Sequence, residues 1–156
     1  MKFLKNEGNQ LVFQMSKREK ALLTDLLKLY PLIPPAHHQV NTGENSRAYQ
    51  ANQQLLDEAL AEHRADIKKQ LEAMLHDEDR FQEVASGFLF LLTEAEMEWL
   101  LQVLNDIRVG SWLLLGSPDE KKGKSARLTL QTARYLWAME MCGHFQHIFI
   151  TKPERK

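Results

Sequence analysis

Two stretches of this chain, "LVFQMSKREKALLTDLLK" (11–28) and "FLFLLTEAEMEWLLQVLN" (88–105), are variations on one phrase. Each opens with a short, strand-like apolar run, passes through Ser or Thr, and places Glu three residues later before leucines at helical spacing. A Ser or Thr side chain at that point accepts from the backbone N–H three residues on, and the Glu reaches back. Each phrase therefore reads as a strand that turns abruptly into a capped helix. Laid with Ser16 on Thr93, the phrases match Leu11 with Phe88, Phe13 with Phe90, Glu19 with Glu96, Leu23 with Leu100 and Leu27 with Leu104. A lone short strand leaves backbone donors and acceptors unpaired, so the two runs are expected to pair with each other. That pairing would bring both helix starts to one side of the domain, a positive end that could accept an anion, although Glu19 and Glu96 of the capping boxes already occupy such ends.

Around this echo the remaining pattern predicts helices. Leu22, Leu23, Leu26, Leu27 and Tyr30 carry a first helix over 17–30, which Pro31 ends. "PLIPPAHHQVNTGEN" (31–45) is then a stiff connector. Leu56, Leu60, His63, Ile67, Leu71 and Met74 recur in three–four steps, marking a long helix over 46–76. At roughly 1.5 Å per residue it would reach about 45 Å, which is long for a domain of this size. Such a helix either crosses the whole domain or projects and pairs with another chain. "DEDRFQEVASG" (77–87) reads as a turn or a short extra helix. A helix over 94–115 stops at Gly116 and Pro118, and a last one runs over 125–147, weakened near its end by Gly143. The predicted architecture is a single, mainly α domain over 1–156. It has four principal helices and a two-stranded β ribbon near 11–14 and 87–91.

Composition narrows the function. In 156 residues the net charge is −1, so no global field draws the chain to nucleic acid or membrane. The charge is unevenly spread: seven Lys/Arg against four Asp/Glu in 1–50, four against twelve in 51–100, and nine against five in 101–156. The acidic middle is a solvated helix face or an attraction for a basic partner. The single cysteine, Cys142, rules out an internal disulfide and fits a reducing compartment. "MKFLKNEGNQ" lacks the pattern of a signal peptide, and no apolar run approaches the 20 or so residues of a membrane span. A cytoplasmic location is expected.

Chemistry-bearing motifs are sparse. Cys142, His144 and His147 lie close in "CGHFQH", and the two histidines, three apart, can share a metal. A buried thiol beside two helix-end histidines is the simpler reading, because no further ligands are clustered nearby. His37 and His38 stand together in the connector, and His63 sits in the seam of the long helix as a core-edge or dimer contact. In "NDIR" (105–108), Asn105, Asp106 and Arg108 interrupt an apolar helix and must meet partners from other elements. "GSPDEKKGK" lacks the spacing of a phosphate loop. No nucleophile stands within readable reach of a base, so an enzyme is not expected, and no cofactor is either.

The segments "FQMSKREKALLTDLL" and "LTEAEMEWLLQVLNDIRVGSWLLLG" resemble an uncharacterised bacterial family, best known from actinobacteria, catalogued as a domain of unknown function. Its members pair an "E-x-x-L-L-x-x-L-L" helix with a "W-L-x-x-L-N-D-x-R" helix. The second motif falls here on Trp99, Leu100, Leu104, Asn105, Asp106 and Arg108, with Val103 where the family has a small residue. The likeness covers about a quarter of the chain. It implies no activity and no catalytic residues, and its gene neighbourhood beside the Clp-protease adaptor implies a role near regulated proteolysis.

These readings converge on a non-enzymatic interaction or regulatory protein, a homodimer or a partner-binding protein acting through the helix 46–76 or the C-terminal tail. Trp99, Asn105, Asp106, Arg108 and His63 are the interaction candidates. A small-ligand or metal-binding helical protein using His144, His147 and Cys142 is the alternative. A DNA-binding regulator using the basic C-terminal third comes third, because near-neutral charge and the lack of a helix-turn-helix pattern count against it.

Overall fold

In the computed structural model, residues 1–33, 47–126 and 128–151 are described. The chain is not mainly α with a small ribbon. It is an α+β fold with a four-stranded antiparallel sheet: β1 (Lys2–Glu7), β2 (Gln10–Met15), β3 (Phe81–Val84) and β4 (Gly87–Thr93), in the order β1-β2-β4-β3. The expected pairing of the two apolar runs is present, as the central β2–β4 pair with Phe13 opposite Phe90 and Leu11 opposite Leu92. Each run also has a hairpin partner. β1 reaches β2 through the two-residue loop Gly8-Asn9, and Gly8 takes the positive φ of +63° that such a turn needs at its first position. β3 reaches β4 through Ala85-Ser86, so the segment expected to be a turn or short helix is an edge strand.

Both outer strands were hidden for the same reason. "KFLKNE" and "FQEV" carry charge on alternate or adjacent positions and lack an apolar run. An edge strand needs only one apolar contact to hold its place, and charge on it discourages pairing with other chains. That contact is Phe3 on β1 and Phe81 on β3. Pairing aligns Phe3, Phe13, Phe90 and Phe81 into one row across the sheet, one phenylalanine per strand. Phe3 meets Phe13 edge-to-face at 5.5 Å, and Phe81 stacks on Phe90 at 4.6 Å. On β1 the row requires a bulge at Leu4, which shifts the register between Phe3 and Lys5.

The echo therefore extends further than its sequence: hairpin, capped turn, helix, twice. Helix α1 (Lys17–Leu27) follows β2 and α3 (Glu94–Leu114) follows β4. With the same 77-residue offset, Glu7↔Gln10 in the first hairpin corresponds to Val84↔Gly87 in the second, and Asn6↔Leu11 to Glu83↔Phe88. The Phe13–Phe90 pair is its own counterpart and marks a local two-fold relation between the units. That relation overturns the expected neighbouring helix starts. Met15 lies opposite Phe88 and Thr93 opposite Gln10, so the two helices begin at opposite ends of the strand pair.

After each unit comes a second helix. Helix α2 (Arg47–Leu75) follows α1 across the connector, and α4 (Ala133–Ile150) follows α3 after a loop holding a single 3-10 turn at Glu120–Lys122. α4 starts later than the expected residue 125 and runs past 147, which leaves Gly143 near its middle. One apolar core joins the layers: Phe13 and Phe90 from the sheet, Leu23 and Leu26 from α1, Leu100 and Leu104 from α3, and Phe145 and Phe149 from α4. Phe149 meets Phe13 edge-to-face at 5.2 Å, which seats the end of α4 on the phenylalanine row. No helix of the described residues is long and apolar enough to cross a membrane.

Candidate functional site

Helix α2 is 29 residues long but buries only Ile67, Leu71 and Met74, spaced i, i+4, i+7 in its C-terminal half. This half lies along α3, where a groove of about 450 Å³ opens between Gln70, Ala73 and Met74 on one side and Ala95, Glu96 and Trp99 on the other. Asp77 and Arg80 close its end. The charged end is built from the second capping box. Thr93 Oγ1 accepts from Glu96 N at 3.1 Å, and Glu96 Oε2 accepts from Thr93 N at 3.1 Å. Glu96 also holds Arg80, which reaches Asp77 at 3.4 Å. The hydrogen bond to Glu96 pushes the Arg80 guanidinium pKa further up, against the smaller opposing effect of burial. Trp99 is half-buried over the groove, and its indole Nε1 is buried with no acceptor among the described residues.

The first unit builds its cap differently. Ser16 Oγ accepts from Glu19 N at 3.1 Å, but Glu19 turns to the amino group of Met1. The reciprocal box expected at both helices is thus complete only at Thr93.

One to two turns along the same seam, Asp106 is a latch. Its Oδ1 accepts from Leu32 N at 2.7 Å and from Ile33 N at 3.3 Å. Arg64 of α2 donates to the Ile33 carbonyl at 2.8 Å. The turn after the cis Tyr30–Pro31 bond is therefore gripped from both helices. Gly110, one turn beyond Asp106, lies against it so closely that a Cβ would stand 2.7 Å from the Leu32 carbonyl carbon. Tyr30, buried beside Asp106, has its hydroxyl pKa pushed up, first by burial and then by that carboxylate.

The structure thus separates the predicted candidates. Trp99 faces the groove, while Asp106 is half-buried and structural. Asn105 and His63 border a second recess of about 220 Å³ at the latch, together with Arg64, Ile67 and Val103. His63 is exposed there, at the rim of the seam and outside its core. Arg108 points the other way and donates to Gln146 of α4 at 3.1 Å. Cys142 is fully buried in the core, whereas His144 and His147 are exposed on the same helix. Among the described residues no three His, Cys, Asp or Glu groups converge as metal ligands. His37, His38 and the tail beyond 151 lie outside the described residues. Arg80 and Asp77 are the groove residues the sequence reading passed over. Their signal was an Asp–Arg pair three apart just ahead of a strand that leads into a capping-box Glu.

No family model, curated protein or solved structure matches the chain.

Proposed function

We propose that this chain is a non-enzymatic interaction protein that binds a basic protein partner through the N-terminal half of α2. The observation that carries this reading is the change of environment along one stripe. Ile67, Leu71 and Met74 are inside the core, whereas Leu56 and Leu60, on the same line, are only half-covered, and Leu55 beside them is 65 % exposed. A helix kept about 43 Å long while burying only its last few turns has surface left over for another molecule. Asp57, Glu58 and Glu62 are exposed on this half, with Arg47 the only exposed cation before them, so the complementary surface is basic. The same acids would repel each other across a contact between two copies of α2, which favours an unlike partner here.

A photoreactive residue at Leu55 in the native host is expected to capture a discrete partner, and Glu58→Lys with Glu62→Lys is expected to abolish the adduct. Equal capture from Asp25 on the exposed side of α1, or an adduct indifferent to the charge reversals, contradicts the reading.

A second reading, a small-ligand site, is supported by the Trp99 groove. Its volume lies within the usual range for ligand sites, and a buried indole N–H there faces no acceptor among the described residues. Trp99 fluorescence unchanged by any member of a small-molecule library, with Trp99→Phe as the control, would count against it.

A further inference from the structure

Helix α4 carries two features that its own chain does not explain. In 18 residues its only Lys, Arg, Asp or Glu are Arg134 and Glu140, and its solvent-facing side carries two exposed apolar residues, Leu136 and Ile150, beside Glu140, His144 and His147. Gly143 stands near its centre, where glycine costs stability relative to alanine. Among the described residues nothing lies within 4 Å of where a Cβ on Gly143 would be, so no packing among them requires a glycine there. Elsewhere the same fold shows what a required glycine looks like, at Gly110 pressed against Leu32.

Beyond its first turn, where Ala133 and Arg134 are exposed, the solvent-facing residues of α4 form one stripe: Leu136, Glu140, His144, His147 and Ile150, with the half-covered Gly143 at its middle. The stripe is self-complementary. Leu136 lies seven residues before Gly143 and Ile150 seven after, while Glu140 and His147 stand one turn to either side. Turned end for end on a second copy, with Gly143 meeting the second copy's Gly143, the stripe sets each Glu140 against the second copy's His147. It also sets each Leu136, 36 % exposed, against the second copy's Ile150, 67 % exposed. A glycine at the crossing lets two helix backbones approach closely, and an isologous contact repeats each pair twice.

We infer that a second copy of this chain covers α4, forming an antiparallel two-fold dimer that crosses at Gly143 and is held in register by reciprocal Glu140–His147 pairs. This surface is separate from the acidic half of α2, so either assignment can fail without the other.

Sedimentation equilibrium of the full chain is expected to show a monomer–dimer equilibrium with a dissociation constant in the micromolar range or tighter. Gly143→Leu is the sharpest variant, because the space inside the monomer is open. The variant is expected to melt no lower than the parent under conditions where both are monomeric, while the dimer weakens by tenfold or more. Glu140→Arg removes the carboxylate acceptor set against His147 and puts a second donor there, and is expected to weaken the dimer similarly. Adding His147→Glu to that variant restores it. A parent that stays monomeric at hundreds of micromolar overturns the inference. So does a dimer that survives both Gly143→Leu and Glu140→Arg, or a double variant that fails to recover while remaining folded by circular dichroism.

Discussion

The two hairpin–helix units, residues 2–27 and 81–114, share topology, register and a capped strand-to-helix turn, but they differ in what they do with the helix that follows. In the first unit α1 ends at Leu27, and the chain turns at once through the cis bond at Pro31. In the second, α3 continues for nearly three more turns. That extension carries Asp106 and Gly110, which hold the first unit's exit turn, and Arg108, which reaches α4. One unit is a minimal element and its counterpart is the organiser of the helical layer. The paired units build the sheet, and the added length of one copy supplies further contacts to the first unit's exit turn and to α4.

The largest effects should come where the two copies are equivalent. Phe13→Ala and Phe90→Ala each empty a fully buried position on the local two-fold, and each is expected to cost about 3–5 kcal/mol. Chemical denaturation that finds the two losses differing by more than about 2 kcal/mol would break the equivalence, since that exceeds the usual context spread at matched sites.

The next effect should appear only in the second copy. Gly110→Ala drives a methyl into the Leu32 backbone and is expected to cost about 1–3 kcal/mol by overpacking. Gly143→Ala, on a helix with open space around it, is expected to stabilise the monomer by up to about 1 kcal/mol. Thermal melts with opposite shifts for the two substitutions support the distinction, and shifts of the same sign contradict it.

The caps should differ modestly. Thr93→Ala is expected to cost about 1–2 kcal/mol and Ser16→Ala about 1 kcal/mol or less, because only Thr93 takes part in a reciprocal box. Equal losses would mean that the Glu96 arm adds nothing.

The smallest effect over accessible conditions concerns Cys142. Burial pushes its thiol up to about 12 from an ordinary 9.0, and Arg108 offsets this slightly. The folded chain therefore keeps the thiol neutral where the unfolded chain ionises it. The contribution to stability is fully present below pH 9 and is lost progressively as pH rises from 9 towards 12. Stability measured between pH 8 and 10 should decline less for Cys142→Ala than for the parent. Parallel declines would remove the assignment.

How far the sequence carried these features depends on which interactions set them. β2, β4 and both caps were legible because their determinants are local: a short apolar run, and a Ser or Thr followed at three by Glu. β1 and β3 were not, because "KFLKNE" and "FQEV" hold their places through single phenylalanines whose importance exists only once four strands align. The later start of α4 was equally hidden, since Thr129 and Thr132 bond to each other's backbone and hydroxyl groups and compete with helix before Ala133. In the site, Trp99 and Asp106 were visible as polar or bulky interruptions of an apolar helix. Their roles were not, because the partners of Asp106 are backbone groups 73 and 74 residues away. Arg80 needed the β3–β4 hairpin to come within reach of Glu96.

The functional reading depends on α2 being divided into an anchored half and an offered half. Residue-resolved hydrogen exchange on the isolated chain measures this directly. Amides of 67–75 should exchange far more slowly than those of 50–60, with the change falling near Arg64, where the helix is tied to Ile33. Uniform slow exchange along Arg47–Leu75 would mean that the whole helix is held by its own fold, and the surface proposed for a partner would not be free.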